Sequence, residues 1–323
     1  MNYFKAIIFD KNGDVDVLQY SELPKLSPGP GQVLVKNKSI GVNYIDLYHR
    51  DGSFPAPVQG ILGVEAAGIV EEIGPEVSDI LIGDHVAYLG FGTYGEYTVV
   101  DRKSIAKVPD SISLDSAAAM FADGMKSLIL VKETYQVKKG DIVLVQAADS
   151  STGLHIIALS RYLGATVIGV VSKEEKSDIA LKAGAHHVIT YNTEDIAKRV
   201  LAITHGRGAD VIYDNLGQLT FDSSLESIKK FGTFISFGKI SGEIEPFDVN
   251  KLATKNVMFS RITAYHYLQT KEDVEYWAGE MFKLLQQRVI GDNISRSYLL
   301  KDAKLAQIDL ENDSVSGKLV LKT

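Results

Sequence analysis

Residues 142–176, IVLVQAADSSTGLHIIALSRYLGATVIGVVSKEEK, constrain the fold more than any other stretch of the chain. An apolar run, Ile142 to Val145, breaks into a turn of small residues. Apolar residues at helical spacing begin near Thr152, and a second β-branched run follows from Ala165 to Val171. Strand, turn, helix and strand in that order read as a βαβ unit, which holds the pyrophosphate of a dinucleotide at a helix N-terminus. The glycine pattern expected there is eroded. Where G-x-G-x-x-G belongs, the chain carries Ala148-Asp149-Ser150-Ser151-Thr152-Gly153, and only the last glycine, which lets helix pack closely on strand, is kept. Ser150 adds a Cβ, and also a hydroxyl able to donate to a phosphate oxygen. A βαβ unit with no ligand stays open as a reading of this segment by itself.

The remaining chain has two textures. Short β-type runs fill the first 120 residues: Phe4–Phe9, Val33–Ile40, Ala66–Ile73, His85–Leu89 and Tyr97–Val100, separated by turns such as Ser27-Pro28-Gly29-Pro30-Gly31. From about Asp123 helical stretches (Gly124–Tyr135, Thr152–Leu163, Lys173–Ala183, Thr193–Thr204, Thr220–Lys229) alternate with apolar runs at 142–146, 166–171, 187–190, 210–213 and 232–237. The first texture predicts an antiparallel, barrel-like β domain and the second a doubly wound parallel sheet. A helix near 271–288 and a strand at 318–322 return to mixed character, so the tail is expected to rejoin the β domain.

Several function classes lack support. Net charge is −7 with no Lys/Arg run, which gives no electrostatic ground for a nucleic-acid partner. No run approaches the ~18 apolar residues of a membrane span. The opening MNYFKAIIFDKNGD has too short an apolar stretch for a signal peptide, so a cytoplasmic protein is expected. Cysteine is absent, which removes disulfides, thiol nucleophiles and every cysteine-based zinc site.

Motifs strung along nearly the whole chain carry a resemblance. Gly41-Val42-Asn43-Tyr44-Ile45-Asp46-Leu47-Tyr48-His49-Arg50-Asp51-Gly52 is followed by Gly63-Val64-Glu65-Ala66-Ala67-Gly68, Gly83-Asp84-His85-Val86 and Gly95-Glu96-Tyr97. Leu181-Lys182-Ala183-Gly184-Ala185, Val211-Ile212-Tyr213-Asp214-Asn215-Leu216-Gly217 and Ser236-Phe237-Gly238 then come in order. Together they resemble the zinc-free quinone oxidoreductase (zeta-crystallin-like) branch of the medium-chain dehydrogenase/reductase superfamily. The resemblance implies an α/β chain: a GroES-like antiparallel β-barrel domain at 1–122, a doubly wound Rossmann domain at 123–262, and a return to the first at 263–323. It also implies a homodimer paired through the edge of the dinucleotide sheet. In zinc alcohol dehydrogenases the positions of Asn43 and Val64 are metal ligands. Asn43 is a poor ligand and Val64 none, so no metal is expected.

The implied cofactor is NADPH. NAD-preferring sites place an acid at the tip of the second strand. Here the tip is Val171-Ser172, followed by Lys173 and Lys176, a hydroxyl and cations suited to a 2′-phosphate; Glu174 and Glu175 read as solvated first-turn acids. The resemblance extends the cofactor set to Lys126, Ser150, Ser151, Thr152, Gly153, Ser172, Lys176, Tyr191, Asn215, Phe237 and Gly238. It puts Asn43, Asp46, Tyr48 and Arg261 beside the reacting groups. Read without it, Asn43 is a helix N-cap and Tyr48 a partly buried aromatic. Lys126 reads as a helix-start lysine that meets phosphate, Asp123 or Asp149, or else points to solvent.

The activity so implied is NADPH-dependent reduction of quinones or related conjugated carbonyls, by hydride transfer without metal. A double-bond reductase for enones or alkenals shares the same fold and cofactor. From another class, the eroded turn leaves room for a low-turnover NADPH sensor, an RNA-binding protein or a structural protein.

Overall fold

Continuous apolar runs in the middle of the chain and alternating ones at its ends sort into two compact units, Met1–Met125 with Tyr267–Thr323, and Lys126–His266. The structure, a computed structural model, describes residues 3–55 and 60–323; Met1 and Asn2 of the opening stretch lie outside it. In chain order the first unit begins with strands β1 (Tyr3–Phe9), β2 (Gln19–Pro24) and β3 (Gln32–Val42), then helix α1 (Tyr44–Asp51). Strands β4 (Gly60–Ile61), β5 (Glu65–Ile73), β6 (His85–Leu89), β7 (Tyr97–Asp101) and β8 (Ile105–Lys107) follow, then helix α2 (Leu114–Ile129).

The second unit alternates β9 (Ile142–Gln146), α3 (Ser151–Tyr162), β10 (Thr166–Val171), α4 (Ser177–Ala183), β11 (His187–Thr190), α5 (Ile196–Ile203), β12 (Ala209–Asp214), α6 (Phe221–Ser227), β13 (Ile228–Ser236), α7 (Asn250–Ala253) and β14 (Met258–Arg261). The chain returns to the first unit with α8 (Lys271–Gln286), β15 (Ile294–Leu299), α9 (Ala303–Glu311) and β16 (Lys318–Lys322).

In the first unit, β3 is the organising strand. It pairs antiparallel with β5, β7 and β16, so the last strand of the chain closes against one of the first. Its core gathers Ile7, Phe9, Val33, Val35, Val86, Tyr88, Leu319 and Leu321. The second unit is a parallel sheet of order β11-β10-β9-β12-β13-β14. Every residue of β12 is buried, as expected when helices cover both faces of a sheet. Phe221, Phe234, Phe247 and Phe259 form a ring cluster with centroids 4.6–6.2 Å apart that seats α6 on β13 and β14. Among the described residues no helix is long and apolar enough to cross a membrane.

Three element boundaries differ from expectation. The helix expected from Gly124 begins at Leu114, because Ala117–Ala119 are strong helix formers and one glycine does not end a packed helix. It then widens into a π turn at Leu130–Thr134. The helix expected to reach Lys229 stops at Ser227, since β-branched Ile228 enters the core and pairs with Ala209. The helix expected from Lys173 starts as a tight 3-10 turn, Glu174–Lys176, before α4.

Candidate active site

The sheet order places a reversal between β10-β9 and β12-β13, the point where open parallel sheets bind ligands beyond the carboxyl ends of their strands. Most residues of the expected cofactor set lie at such ends. Ser150–Gly153 follow β9, Ser172 follows β10, Tyr191 follows β11, Asn215 follows β12, Phe237 and Gly238 follow β13, and Arg261 closes β14. Lys126 does not; it is half-buried in the last turn of α2, which corrects its reading as a helix-start residue.

The turn after β9 keeps its shape without its glycines by two devices. Ala147, one residue before the eroded pattern, adopts φ +52°, a conformation costly for any residue with a Cβ. Ser150 is the N-cap of α3: its Oγ accepts from Gly153 N (3.1 Å) and donates to the Ala147 carbonyl (2.7 Å). The Ser150 hydroxyl proton is thus used inside the turn of the unliganded protein. Gly153 is required, because a Cβ there would run into the Ala147 carbonyl. Ser151 differs from its neighbour: its Oγ is buried at the first turn of α3 with no hydrogen-bond partner. An unsatisfied buried hydroxyl costs about 1–3 kcal/mol and marks a position where an acceptor fits.

At the tip of β10, Ser172 and Lys176 are both buried and Lys173 is exposed. The Lys176 ammonium lies 2.9 Å from Asp149 Oδ2, so the carboxylate and the cation read separately from sequence face each other across the turn. Glu174 Oε2 accepts from Thr190 Oγ1 at 3.1 Å, which holds that acid against β11.

Beyond β12, Asp214 is fully buried and accepts from Leu216 N, Gly217 N and Thr220 Oγ1 (2.9–3.2 Å). Burial raises its pKa to about 6. These bonds shape the loop that carries Asn215, whose side chain lies where a Cβ on Gly238 would be; only glycine is possible there. Arg261 pairs in register with Ser236, and its side chain is exposed.

In the first unit, Asn43 precedes α1, Asp46 lies in its first turn and Tyr48 at its middle. Asn43 is the N-cap, and Asp46 Oδ2 accepts from its backbone N–H at 2.9 Å. Asp46 is fully buried, Tyr94 Oη also donates to Oδ2 (3.0 Å), and Oδ1 has no partner. Burial is the main cause that moves its pKa from the ordinary 3.8 to about 7. The Tyr48 ring packs against Tyr44 with centroids 6.5 Å apart.

The Asn43 amide is part of a cluster that sequence reasoning missed. Its Nδ2 donates to Glu65 Oε1 (2.8 Å), and its Oδ1 accepts from Lys318 Nζ (2.7 Å). Lys318 also pairs with Glu65, and with Asp123 at 3.1 Å; Glu65 Oε2 accepts from Ala122 N at 2.7 Å. Lys318 is 1% exposed, and its two carboxylates raise its pKa despite burial. The sequence offers only a lysine opening an apolar run, which does not by itself separate a buried position from an exposed one. Among the described residues, no group of three or more His, Cys, Asp or Glu side chains is placed to hold a metal ion.

Comparison with known proteins bears on what this arrangement serves. Residues 29–110 match the alcohol dehydrogenase GroES-like domain, and residues 151–283 match the zinc-binding dehydrogenase family. A 2-haloacrylate reductase from a Burkholderia species is 35% identical over 98% of this chain and 98% of its own. The quinone oxidoreductase of Pseudomonas aeruginosa is 35% identical over 98% of this chain and 99% of its own. The crystal structure of Escherichia coli quinone oxidoreductase complexed with NADPH aligns with a TM-score of 0.95 at 34% identity, covering 99% of this chain and 100% of that one.

Proposed function

Because the chain belongs to the zinc-free quinone oxidoreductase branch of the medium-chain dehydrogenase/reductase superfamily, we propose that it reduces quinones or related conjugated carbonyls with NADPH. The observation that carries this reading is the donor set after β9, β10 and β11: the unpartnered buried Ser151 hydroxyl, then Ser172, Lys176 and Tyr191. A hydroxyl at a helix N-terminus fits a pyrophosphate, and hydroxyls around a lysine, with no acid at the strand tip itself, fit a 2′-phosphate. Ser150, Thr152 and Gly153 shape the first of these sites. Asn215, Phe237 and Gly238 would line the cofactor farther along the strand ends.

NADPH, when bound, supplies the hydride. The chain's own residues bind and orient. Asn43 cannot rotate, since Glu65 and Lys318 hold the two ends of its amide. Asp46 is a positioning residue in this reading, fixing the Asn43 backbone from a sealed site. Tyr48 and Arg261 are the groups we assign to the acceptor, with hydrogen bonds in place of a metal to hold its developing oxyanion. End-to-end similarity to proteins named as reductases weighs against a sensor or structural role. Cytoplasmic residence and a homodimer belong to the same proposal; the dimer is supported by β14, an edge strand whose Met258 is 62% exposed.

The test is direct. NADPH is titrated by its fluorescence, and 1,4-benzoquinone or 9,10-phenanthrenequinone is then added while absorbance of the reduced cofactor is followed. Enzyme-dependent oxidation that survives EDTA, from a particle of dimer mass by light scattering, is expected. Tight NADPH binding with no oxidation by quinones or enones would reject the reductase reading.

A further inference from the structure

The glycine-poor turn and the 2′-phosphate lysine are joined in this structure. Asp149, inside the turn after β9, places Oδ2 2.9 Å from the Lys176 ammonium, and the two side chains are only 10% and 9% exposed. We propose that Asp149 sets how strongly this chain prefers NADPH over NADH, by acting as a resident counter-ion on Lys176. This rests on the NADPH-dependent reading above and adds a specificity-determining residue to it.

Charge decides the direction. A 2′-phosphate approaching Lys176 alone meets a full positive charge. Approaching the pair, it meets a site of net charge near zero, with a carboxylate that repels it at close range and little solvent to screen the repulsion. The neutral 2′-hydroxyl of NADH suffers no such repulsion, and a carboxylate beside the strand tip is the group that accepts a ribose hydroxyl in NAD-type sites. Those sites carry the acid at the end of the second strand; here it reaches the same place from the turn after the first. Asp149 therefore narrows the gap between the two cofactors from both sides.

The experiment measures dissociation constants of NADPH and NADH by fluorescence, without acceptor, for the parent, Asp149→Asn, Lys176→Met and the double variant. Asp149→Asn is expected to tighten NADPH about fivefold and weaken NADH slightly, so the preference for NADPH widens by that factor or more. Lys176→Met should collapse the preference, and Asp149→Asn on that background should no longer restore it. Asp149→Ser, read in the same way, serves if the asparagine variant does not fold. An unchanged or narrowed preference in the Asp149 variants, with Lys176→Met still collapsing it, overturns this inference and leaves the reductase reading standing. A parent protein that binds neither nucleotide rejects both.

Discussion

Lys318 and Lys176 are both buried ammonium groups facing carboxylates, yet they sit in opposite kinds of place. Lys318 opens the last strand of the first unit and meets Asn43, Glu65 and Asp123, with 1% of its surface exposed. Lys176 lies in a tight turn at the carboxyl ends of the parallel strands, against Asp149. The first cluster sets one ammonium against two carboxylates and the Asn43 amide among buried side chains. The second is where a parallel sheet opens to ligands, so the same pairing there becomes a term in selectivity. A buried ion pair is thus not a signature of function by itself; its position relative to strand ends gives it meaning.

The sharpest way to break this contrast is to remove Lys318. Lys318→Met leaves Glu65 and Asp123 buried without their cation, and breaking a buried pair in this way costs ~3–5 kcal/mol. Urea denaturation should show that loss as a lower midpoint at unchanged slope. Lys176→Met, at the strand ends, should cost clearly less. Equal losses would mean that the two clusters are not different in kind.

A second prediction concerns the proton next to the Lys318 cluster. Asp46 holds a folded-state pKa of about 7 against an ordinary 3.8. Between those values the folded protein keeps a proton that the unfolded chain releases, so stability falls as pH rises through the window. Below pH 4 the contribution is fully present, and above pH 7 the loss is complete. Asp46→Asn keeps an oxygen to accept from the Asn43 N–H and carries no charge. It should therefore match the parent near pH 4 and exceed it by up to ~4 kcal/mol at pH 8. Parallel stability curves for parent and variant from pH 4 to pH 8 would show that Asp46 ionises as an ordinary carboxyl.

The contrast also explains what could be seen in the sequence. The parallel sheet was legible because period 3.6 and buried β-branched runs are local signals, and strand ends then place Ser172, Tyr191, Asn215 and Gly238 without further information. The Lys318 cluster was not legible, because its partners lie 253 and 195 positions away. No local rule distinguishes a lysine that opens a strand and faces solvent from one that faces two carboxylates. Asp149 and Lys176 fall between these cases: the sequence puts Asp149 in the glycine-poor turn and Lys176 at the strand tip as a cation suited to a 2′-phosphate, but only the fold sets them 2.9 Å apart. The early start of α2 was missed for a third reason, a glycine taken as a boundary inside a helix that packing sustains.

The smallest expected effect separates two adjacent serines. Ser150 spends its hydroxyl on the turn, accepting from Gly153 N and donating to the Ala147 carbonyl, whereas Ser151 Oγ is buried without a partner. Ser150→Ala should therefore cost ~1 kcal/mol, as for a lost N-cap, and Ser150→Gly only a few tenths. Neither should change NADPH affinity by more than about twofold, an energy below one hydrogen bond. Ser151→Ala should do the reverse, loosening NADPH severalfold while leaving the unliganded protein as stable or slightly more so, because it removes a buried hydroxyl that has no partner. Thermal unfolding without nucleotide reads the first quantity and fluorescence titration the second. If instead Ser150→Ala weakens NADPH at unchanged stability, the Ser150 hydroxyl turns toward phosphate when the cofactor binds. The turn would then belong with the ligand-responsive strand ends entirely, and its N-cap would be a feature of the empty site alone.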